Sequence, residues 1–170
     1  MLNPGSSLAK LFDAPMRPGR VMWIGRRPAR REPMLPLAQA QLDAGRGLVG
    51  DRYSRLGGAR QVTLIEAESL QSIASHLGLE TLRPEALRRN IVTAGINLLA
   101  LKERRFRVGP AVLEVSGECH PCSRMEEILG VGGYNAVRGL GGVTARVLTS
   151  GEIRLGDVVA RSDDLTGSLL

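Results

Sequence analysis

Residues 106–129 read FRVGPAVLEVSGECHPCSRMEEIL, and this stretch largely decides which fold the chain can adopt. Apolar and polar side chains alternate on both sides of Gly109-Pro110, which predicts two antiparallel strands joined by a tight turn. The tetrad Cys119-His120-Pro121-Cys122 follows this hairpin, and residues 123–129 have the pattern of a helix. The sequence therefore places both of its cysteines where a strand gives way to a helix.

The rest of the chain repeats this pattern of short strands separated by glycine turns. A helix is predicted over residues 66–77, ending at Gly78, and Pro84 opens a short helical turn. The 21 glycines lie mostly between strand-like runs, which favours a mixed, β-rich fold with a closed barrel. Further strands are predicted at residues 20–24, 37–42, 61–65, 88–93, 143–148 and 157–160.

The composition is that of one globular domain. With 170 residues, 43% hydrophobic and 3% aromatic, the chain can bury a core that must be aliphatic. We expect a single domain over residues 20–162, a loose leader over 1–19 and a tail over 163–170. No apolar run approaches the ~20 residues that span a bilayer, and no secretory signal is evident. We therefore expect a cytoplasmic protein with reduced thiols and no membrane partner.

The chain is strongly basic, with a net charge of +6 and an isoelectric point near 10.3. Such a balance favours nucleic acid, a membrane surface or a small anionic ligand as partner. The arginines are not interleaved with aromatic residues and no nucleic-acid-binding motif is present, so a small anionic ligand is expected and nucleic acid is not. Whether the N-terminal cluster binds it or is a solvated surface stays open. That cluster consists of Arg17, Arg20, Arg26, Arg27, Arg30 and Arg31.

The cysteine tetrad has several interpretations. Cys119 and Cys122 have the spacing of a redox dithiol, although the hairpin pattern argues against a thioredoxin-like sheet. A zinc site would need His76 and His120 as further ligands, and His120 lies awkwardly inside the tetrad. A single reactive cysteine is a third interpretation, because a helix start favours a thiolate. Two buried thiols acting as small hydrophobic side chains are the structural alternative.

Two other signals point to an anion site. Arg88-Arg89-Asn90 opens a predicted strand with planar guanidinium forks that suit phosphate, although a salt-bridged surface would look the same. The glycine strings at residues 47–52 and 138–143 could let the backbone approach a ligand closely. Neither string matches a nucleotide-binding fingerprint, so turn formation is the default explanation of each.

The order of these motifs closely resembles the MOSC domain, the family of the C-terminal domain of molybdenum cofactor sulfurases. The resemblance extends from about Val21 to Val159, nearly the whole chain. No single motif is specific, and the succession carries the argument. In chain order the motifs are Gly50-Asp51, residues 60–66, residues 88–92, Arg107-Val108-Gly109, Pro121-Cys122, Gly141-Gly142-Val143 and residues 153–157.

The resemblance implies a barrel of the pyruvate-kinase type with a few helices. It implies that Cys122 is the catalytic and metal-ligating residue, and that molybdenum cofactor (molybdopterin) is the cofactor. Pyridoxal phosphate is not expected to be bound by this domain alone. The residues expected to bind the cofactor are Arg60, Arg88, Arg89, Asn90, Arg124, Gly141 and Gly142.

The function that follows is a molybdenum cofactor-linked sulfur carrier or an oxidoreductase, for example one that reduces N-hydroxylated compounds. The alternatives are a non-catalytic module that delivers cofactor or sulfur, and a dithiol redox protein.

Three departures from the family pattern are visible. Tyr53 stands where a histidine usually follows the aspartate string, and Cys119 adds a second cysteine to the hallmark. The larger reductases of the family also carry an N-terminal β domain that helps to enclose the cofactor, and residues 1–19 cannot replace it. A reductase or sulfur-donor protein, or a second copy of the chain, is therefore expected as a partner.

Overall fold

A computed structural model of the chain describes residues 2–166. Its strands are β1 (Gly19–Arg26), β2 (Leu35–Leu37), β3 (Gln39–Asp43), β4 (Gly47–Leu48), β5 (Val62–Glu66), β6 (Ile91–Ala94), β7 (Arg105–Val108), β8 (Ala111–Glu118), β9 (Val143–Thr149), β10 (Gly151–Arg154) and β11 (Val158–Arg161). Its α-helices are α1 (Ser7–Asp13), α2 (Ala67–His76), α3 (Ser123–Leu129), α4 (Gly133–Val137) and α5 (Ser162–Thr166). Two 3-10 helices cover Pro84–Leu87 and Leu98–Leu101.

Seven of these strands form a closed barrel, in the order β1, β6, β5, β9, β8, β7, β11. The pairs Gly19–Val159 and Arg20–Val158 join β11 to β1 and complete the circle. Strand β2 extends the sheet from β1, while β10, β3 and β4 form a separate small sheet. Closure pairs strand edges that would otherwise be exposed. The predicted β-rich barrel is confirmed.

One pair of strands is parallel. Strands β5 and β6 run in the same direction and are connected through α2, whereas the other barrel pairs are antiparallel. A row of paired residues then crosses the barrel wall, from Ile91 to Leu64, Val143 and Glu118. The residues next to this row in sequence include Asn90, Gly142 and Cys119. Strand register therefore brings together segments that lie far apart along the chain.

The core has two parts. The barrel interior is aliphatic, as the composition predicts, with Phe106 as its one aromatic side chain among the described residues. A second cluster lies between the barrel and the helices and contains Ile73, Leu87, Met125 and Val137. Met125, on α3, is only 5% exposed, and burying such a side chain contributes about 1.5–3 kcal/mol. This second cluster holds the helix that follows the cysteine tetrad against the barrel.

Some local predictions differ from the structure. The strand predicted at 88–93 begins only at Ile91, because Arg88 adopts a left-handed conformation with φ +57° after the 3-10 helix. The strand predicted at 37–42 is replaced by β2 and β3. The loop after β1 is not simply a solvated surface, because it buries Arg27 and Met34.

The N-terminal segment, predicted to be a loose leader, contains helix α1. Arg161 donates to the carbonyl oxygens of Phe12 (3.3 Å) and Asp13 (2.9 Å). The Asp164 carboxylate accepts a hydrogen bond from the Met16 backbone at 3.0 Å. The leader is thus connected to the end of β11 and to α5. Of the tail predicted at 163–170, residues 167–170 lie outside the described residues.

Candidate functional site

A cavity of about 510 Å³ opens beside the cysteine tetrad, and we call it the arginine cavity. Its walls come from the loop after β1, the loop before β5, the segment before β6, and the tetrad with α3. Eight arginines line it, together with one carboxylate, that of Glu127. These arginines are Arg27, Arg30, Arg31, Arg52, Arg60, Arg88, Arg89 and Arg124. The arrangement strongly favours an anionic ligand.

Most of the residues predicted from the sequence lie on the cavity wall. Cys122 lines it together with Arg60, Arg88, Arg89 and Arg124. Asn90, Gly141 and Gly142 do not line it. The structure brings the predicted thiol and the predicted cations into one cavity and places the other three residues in the supporting structure beneath it.

A buried ion pair lies under the cavity. Arg27 donates from Nε to Asp51 Oδ1 (3.0 Å) and from Nη2 to Asp51 Oδ2 (2.8 Å), a two-pronged arrangement. Asn90 is fully buried and donates to Asp51 Oδ1 at 3.0 Å. The hydroxyl of Thr63 donates to Asn90 Oδ1 at 3.1 Å. Asn90 therefore acts through Arg27 and Asp51 rather than by touching a ligand.

Arg89 is held by main-chain carbonyl groups. Its Nε donates to Gly141 O (2.8 Å) and its Nη1 to Leu87 O (2.7 Å). Burial lowers the pKa of Arg89, while the nearby Cys119 sulfur opposes this effect. An arginine side chain is not deprotonated in proteins, so the guanidinium stays charged at neutral pH. A fixed cation thus lies beside the cysteines.

The glycine pair makes this contact feasible. A Cβ on Gly141 would lie 1.9 Å from the carbonyl oxygen of Cys119. Gly142 has φ +83°, and a Cβ there would lie 2.0 Å from the carbonyl oxygen of Leu64. Cys119 donates its backbone N–H to Gly142 O at 2.8 Å. The pair was predicted to contact the cofactor, and the structure uses it for close packing of backbone under the cavity.

The two cysteines differ in accessibility. Cys119 is 7% exposed, whereas Cys122 is exposed, and both line the cavity. Cys122 has an extended backbone (φ −128°, ψ 176°) and precedes α3, with its carbonyl accepting from Met125 N at 2.9 Å. Residues 119–122 form no turn. Cys122 is therefore the thiol that a ligand or substrate can reach.

The zinc interpretation of the tetrad has no support in the described residues. Among them, no three histidine, cysteine or acidic side chains are grouped so that they could hold a metal ion. His120 lines the cavity, but His76 lies against α4, with its Nδ1 atom 3.3 Å from Ala136 O.

Arg88 connects two walls of the cavity. Its Nη1 donates to the carbonyl oxygen of Glu32, and its Nη2 to that of Ala29 at 3.4 Å. Burial lowers the pKa of Arg88, and the positive charges of Arg27 and Arg124 lower it further. The loop that carries Arg30 and Arg31 is thereby attached to the segment before β6.

Sequence reasoning left several wall residues unassigned. In the sequence, Arg27, Arg30 and Arg31 form only a basic cluster, for which a solvated surface is an equal alternative. Tyr53 is recognisable in the sequence only as a departure from the family pattern. Its ring centroid lies 4.5 Å from Arg27 Cζ and 4.9 Å from Arg52 Cζ, distances typical of cation–π contacts. The spacing of the arginines along the chain gives no signal that four separate segments converge on one cavity.

The fold and the cavity together define a class: closed β-barrel proteins that present an accessible thiol to a strongly basic cavity. The family model of the MOSC domain matches residues 51–160, and the chain belongs to this family. The resemblance inferred from the order of the motifs is confirmed. No curated protein matches the sequence.

Solved structures show the same fold. The YuaD protein from Bacillus subtilis superposes with a TM-score of 0.74 at 21% identity, over 84% of this chain and 94% of that one. YiiM from Geobacillus stearothermophilus gives a TM-score of 0.69 at 18% identity, over 84% and 74% of the two chains. YiiM from Escherichia coli gives a TM-score of 0.63 at 17% identity, over 84% of this chain and 69% of that one.

No helix in the described part of the chain has the length and apolar character needed to cross a bilayer.

Proposed function

We propose that the arginine cavity binds a molybdenum–pterin cofactor through its phosphate, and that Cys122 supplies the thiolate that ligates the metal or carries a transferable sulfur. One observation carries this proposal: the accessible thiol and eight arginines share a single cavity. Thiolate is a soft ligand, and guanidinium forks match the geometry of phosphate oxygens. Family membership supports the same assignment.

The residues present fit such a group. A volume of about 510 Å³ falls within the range of roughly 300–1,000 Å³ typical of cofactor pockets. Arg88 and Arg89 would hold the phosphate, with Arg60 and Arg124 beside them on the cavity wall and Arg27 fixed beneath them by Asp51. The bound group would supply two-electron and oxygen-transfer chemistry that the side chains of the protein lack.

The contributions of the chain itself are binding and orientation. Arg89 is fixed by the carbonyl groups of Gly141 and Leu87, so its charge needs little rearrangement when an anion binds. Buried Met125 anchors α3 and so fixes the backbone that follows Cys122. An exposed thiol at this point can be reached by a small substrate or by a sulfur-donor protein. The arrangement would serve an oxidoreductase acting on N-hydroxylated compounds, a sulfur carrier, and a module that only delivers cofactor.

The tetrad conformation favours one functional thiol over a dithiol couple. A disulfide needs Cα atoms about 4.4–6.8 Å apart, which a turn between the two cysteines would provide. Residues 119–122 form no turn, and Cys119 is buried.

The proposal is tested on protein produced in a molybdate-supplemented host, by metal analysis and pterin fluorescence. Wild type is compared with Cys122→Ser and, as the matched control, Cys119→Ser. We expect molybdenum in the wild type and in Cys119→Ser, and its loss in Cys122→Ser. Reduction of an N-hydroxylated substrate, with a reductase partner supplied, then distinguishes an enzyme from a carrier. Wild-type protein free of both metal and pterin would refute the proposal, and equal loss in the two variants would favour the dithiol alternative.

A further inference from the structure

The arginine cavity carries more positive charge than a single phosphate group can satisfy. Of its eight arginines only Arg27 is in an ion pair, with Asp51. The remaining seven form no ion pair within residues 2–166. A terminal phosphate group offers three acceptor oxygens. Seven guanidinium forks, each with several donors, exceed that capacity.

The arginines fall into two sets by what their donors contact. Arg88 and Arg89, the inner arginines, donate to main-chain carbonyl groups and are fixed. The side chains of the other five make no hydrogen bond within the described part of the chain, although Arg52 stacks on Tyr53. These outer arginines are Arg30, Arg31, Arg52, Arg60 and Arg124. Their donors are free to bind a ligand.

The two sets are close enough to repel each other. Beside the effect of burial, the charges of Arg124 and Arg52 lower the pKa of Arg88, and the charge of Arg60 lowers that of Arg89. Like charges gathered in one cavity are relieved when an anion lies between them. An anion that reaches both sets relieves more of this repulsion than one held by the inner set alone.

We propose that the arginine cavity takes a ligand with two phosphoryl groups, a diphosphate ester, with the inner arginines holding one group and the outer arginines the other. The inference rests on the proposed function, since it concerns the same cavity. It restricts the proposed cofactor to a form that carries two linked phosphoryl groups rather than one. The outer arginines then determine which form of the ligand is bound.

Inorganic pyrophosphate and inorganic phosphate are the probes, titrated calorimetrically into the purified chain at one fixed ionic strength. Pyrophosphate should bind about 10-fold more tightly or better, as one additional charged hydrogen bond would give. Arg60→Ala and Arg30→Ala should each weaken pyrophosphate binding by about 10-fold and phosphate binding much less. Arg105→Ala is the matched control, because Arg105 is exposed on β7, outside the cavity lining, and its loss removes the same charge.

Equal affinity for the two anions would overturn the inference. So would an Arg105→Ala effect as large as that of Arg60→Ala, which would show nonspecific attraction to a basic protein. Tighter binding of a short single-stranded oligonucleotide than of pyrophosphate would also overturn it. The inference and the proposed function fail separately: pyrophosphate selectivity without any molybdenum in the wild type removes only the function, and molybdenum without selectivity removes only the inference.

Discussion

The side-chain amide of Asn90 binds both members of the ion pair beneath the cavity, Arg27 and Asp51. The oxygen accepts from Arg27 Nη2 at 2.8 Å, and the nitrogen donates to Asp51 Oδ1 at 3.0 Å. All three side chains are buried, so each depends on the others for hydrogen bonding. The position of Arg27 on the cavity wall is therefore set by a residue that no ligand touches.

Asn90→Ala should destabilise the fold, because it removes hydrogen bonds to Arg27 and Asp51 and leaves the buried N–H and hydroxyl of Thr63 without the Asn90 Oδ1 acceptor. Each such atom costs about 1–3 kcal/mol, and the free energy of unfolding from urea titration should fall by about 2–4 kcal/mol. Asn135→Ala, on the exposed side of α4, is the matched control and should change little. Similar small changes in both variants would contradict the role assigned to Asn90.

Asp51→Asn should destabilise the fold by more than the small change in side-chain size implies. The variant leaves the Arg27 guanidinium buried without its counter-ion, and breaking a buried pair costs about 3–5 kcal/mol. Thermal and urea unfolding measure the loss. Asp43→Asn should remain close to wild type, because within residues 2–166 that carboxylate accepts only from the nearby Gln41 side chain.

Gly141→Ala should disturb both the fold and the position of Arg89. The new methyl group would collide with the Cys119 carbonyl oxygen, so the backbone must shift, at a cost of about 1–3 kcal/mol. Phosphate affinity should also fall, because Gly141 O holds Arg89. Gly58→Ala is the control: its nearest contact would be 3.4 Å, with a flexible arginine side chain, and its phosphate affinity should match that of the wild type.

Alkylation of the native protein should label Cys122 rapidly and Cys119 slowly. The reason is access, since Cys119 is 7% exposed and Cys122 is exposed. Intact-mass measurement over time should show one fast addition, and a second at a comparable rate only in denaturant. Cys122→Ser should lose the fast addition. A fast addition that survives in this variant would mean that the tetrad opens readily.

Glu126 should make the stability of the fold depend on pH in a defined direction. Backbone hydrogen bonds from Tyr134 and Gly132 lower the pKa of Glu126 below its ordinary value of 4.5. A carboxyl group whose pKa is lowered by folding stabilises the folded state at pH values above its unfolded-state pKa. This stabilisation is lost as the pH falls through its folded-state pKa. Glu126→Gln should therefore be less stable than wild type at pH 7, and the difference should shrink at acid pH. A difference that is constant from pH 7 to pH 2 would contradict this account.

The barrel could be anticipated because its signals are local. The turn at Gly109-Pro110 and the alternation around it define a hairpin without reference to the rest of the chain, and the structure has β7 and β8 there. The thiol at Cys122 and the fork at Arg89 were found in the same way, from residue type and position beside a strand or a helix.

The rest of the site depends on pairings between distant segments. Arg27 lies 63 residues from Asn90 along the chain, and only the pairing of β1 with β6 makes them neighbours. Arg30, Arg31 and Arg52 lie in loops, where periodicity gives no direction for a side chain. The left-handed conformation of Arg88 was equally hidden, because a non-glycine residue rarely adopts it.

The inner arginines are held by oxygens of the polypeptide backbone rather than by side chains. The carbonyl groups of Ala29, Glu32, Leu87 and Gly141 accept their hydrogen bonds. A carbonyl group is retained at Ala29, Glu32 and Leu87 through any substitution that leaves the backbone in place, whereas residue 141 must stay glycine. The outer arginines can therefore be varied one at a time without moving the inner pair. Variants that differ only in the number of outer arginines should therefore form a series of barrels that prefer ligands of different negative charge.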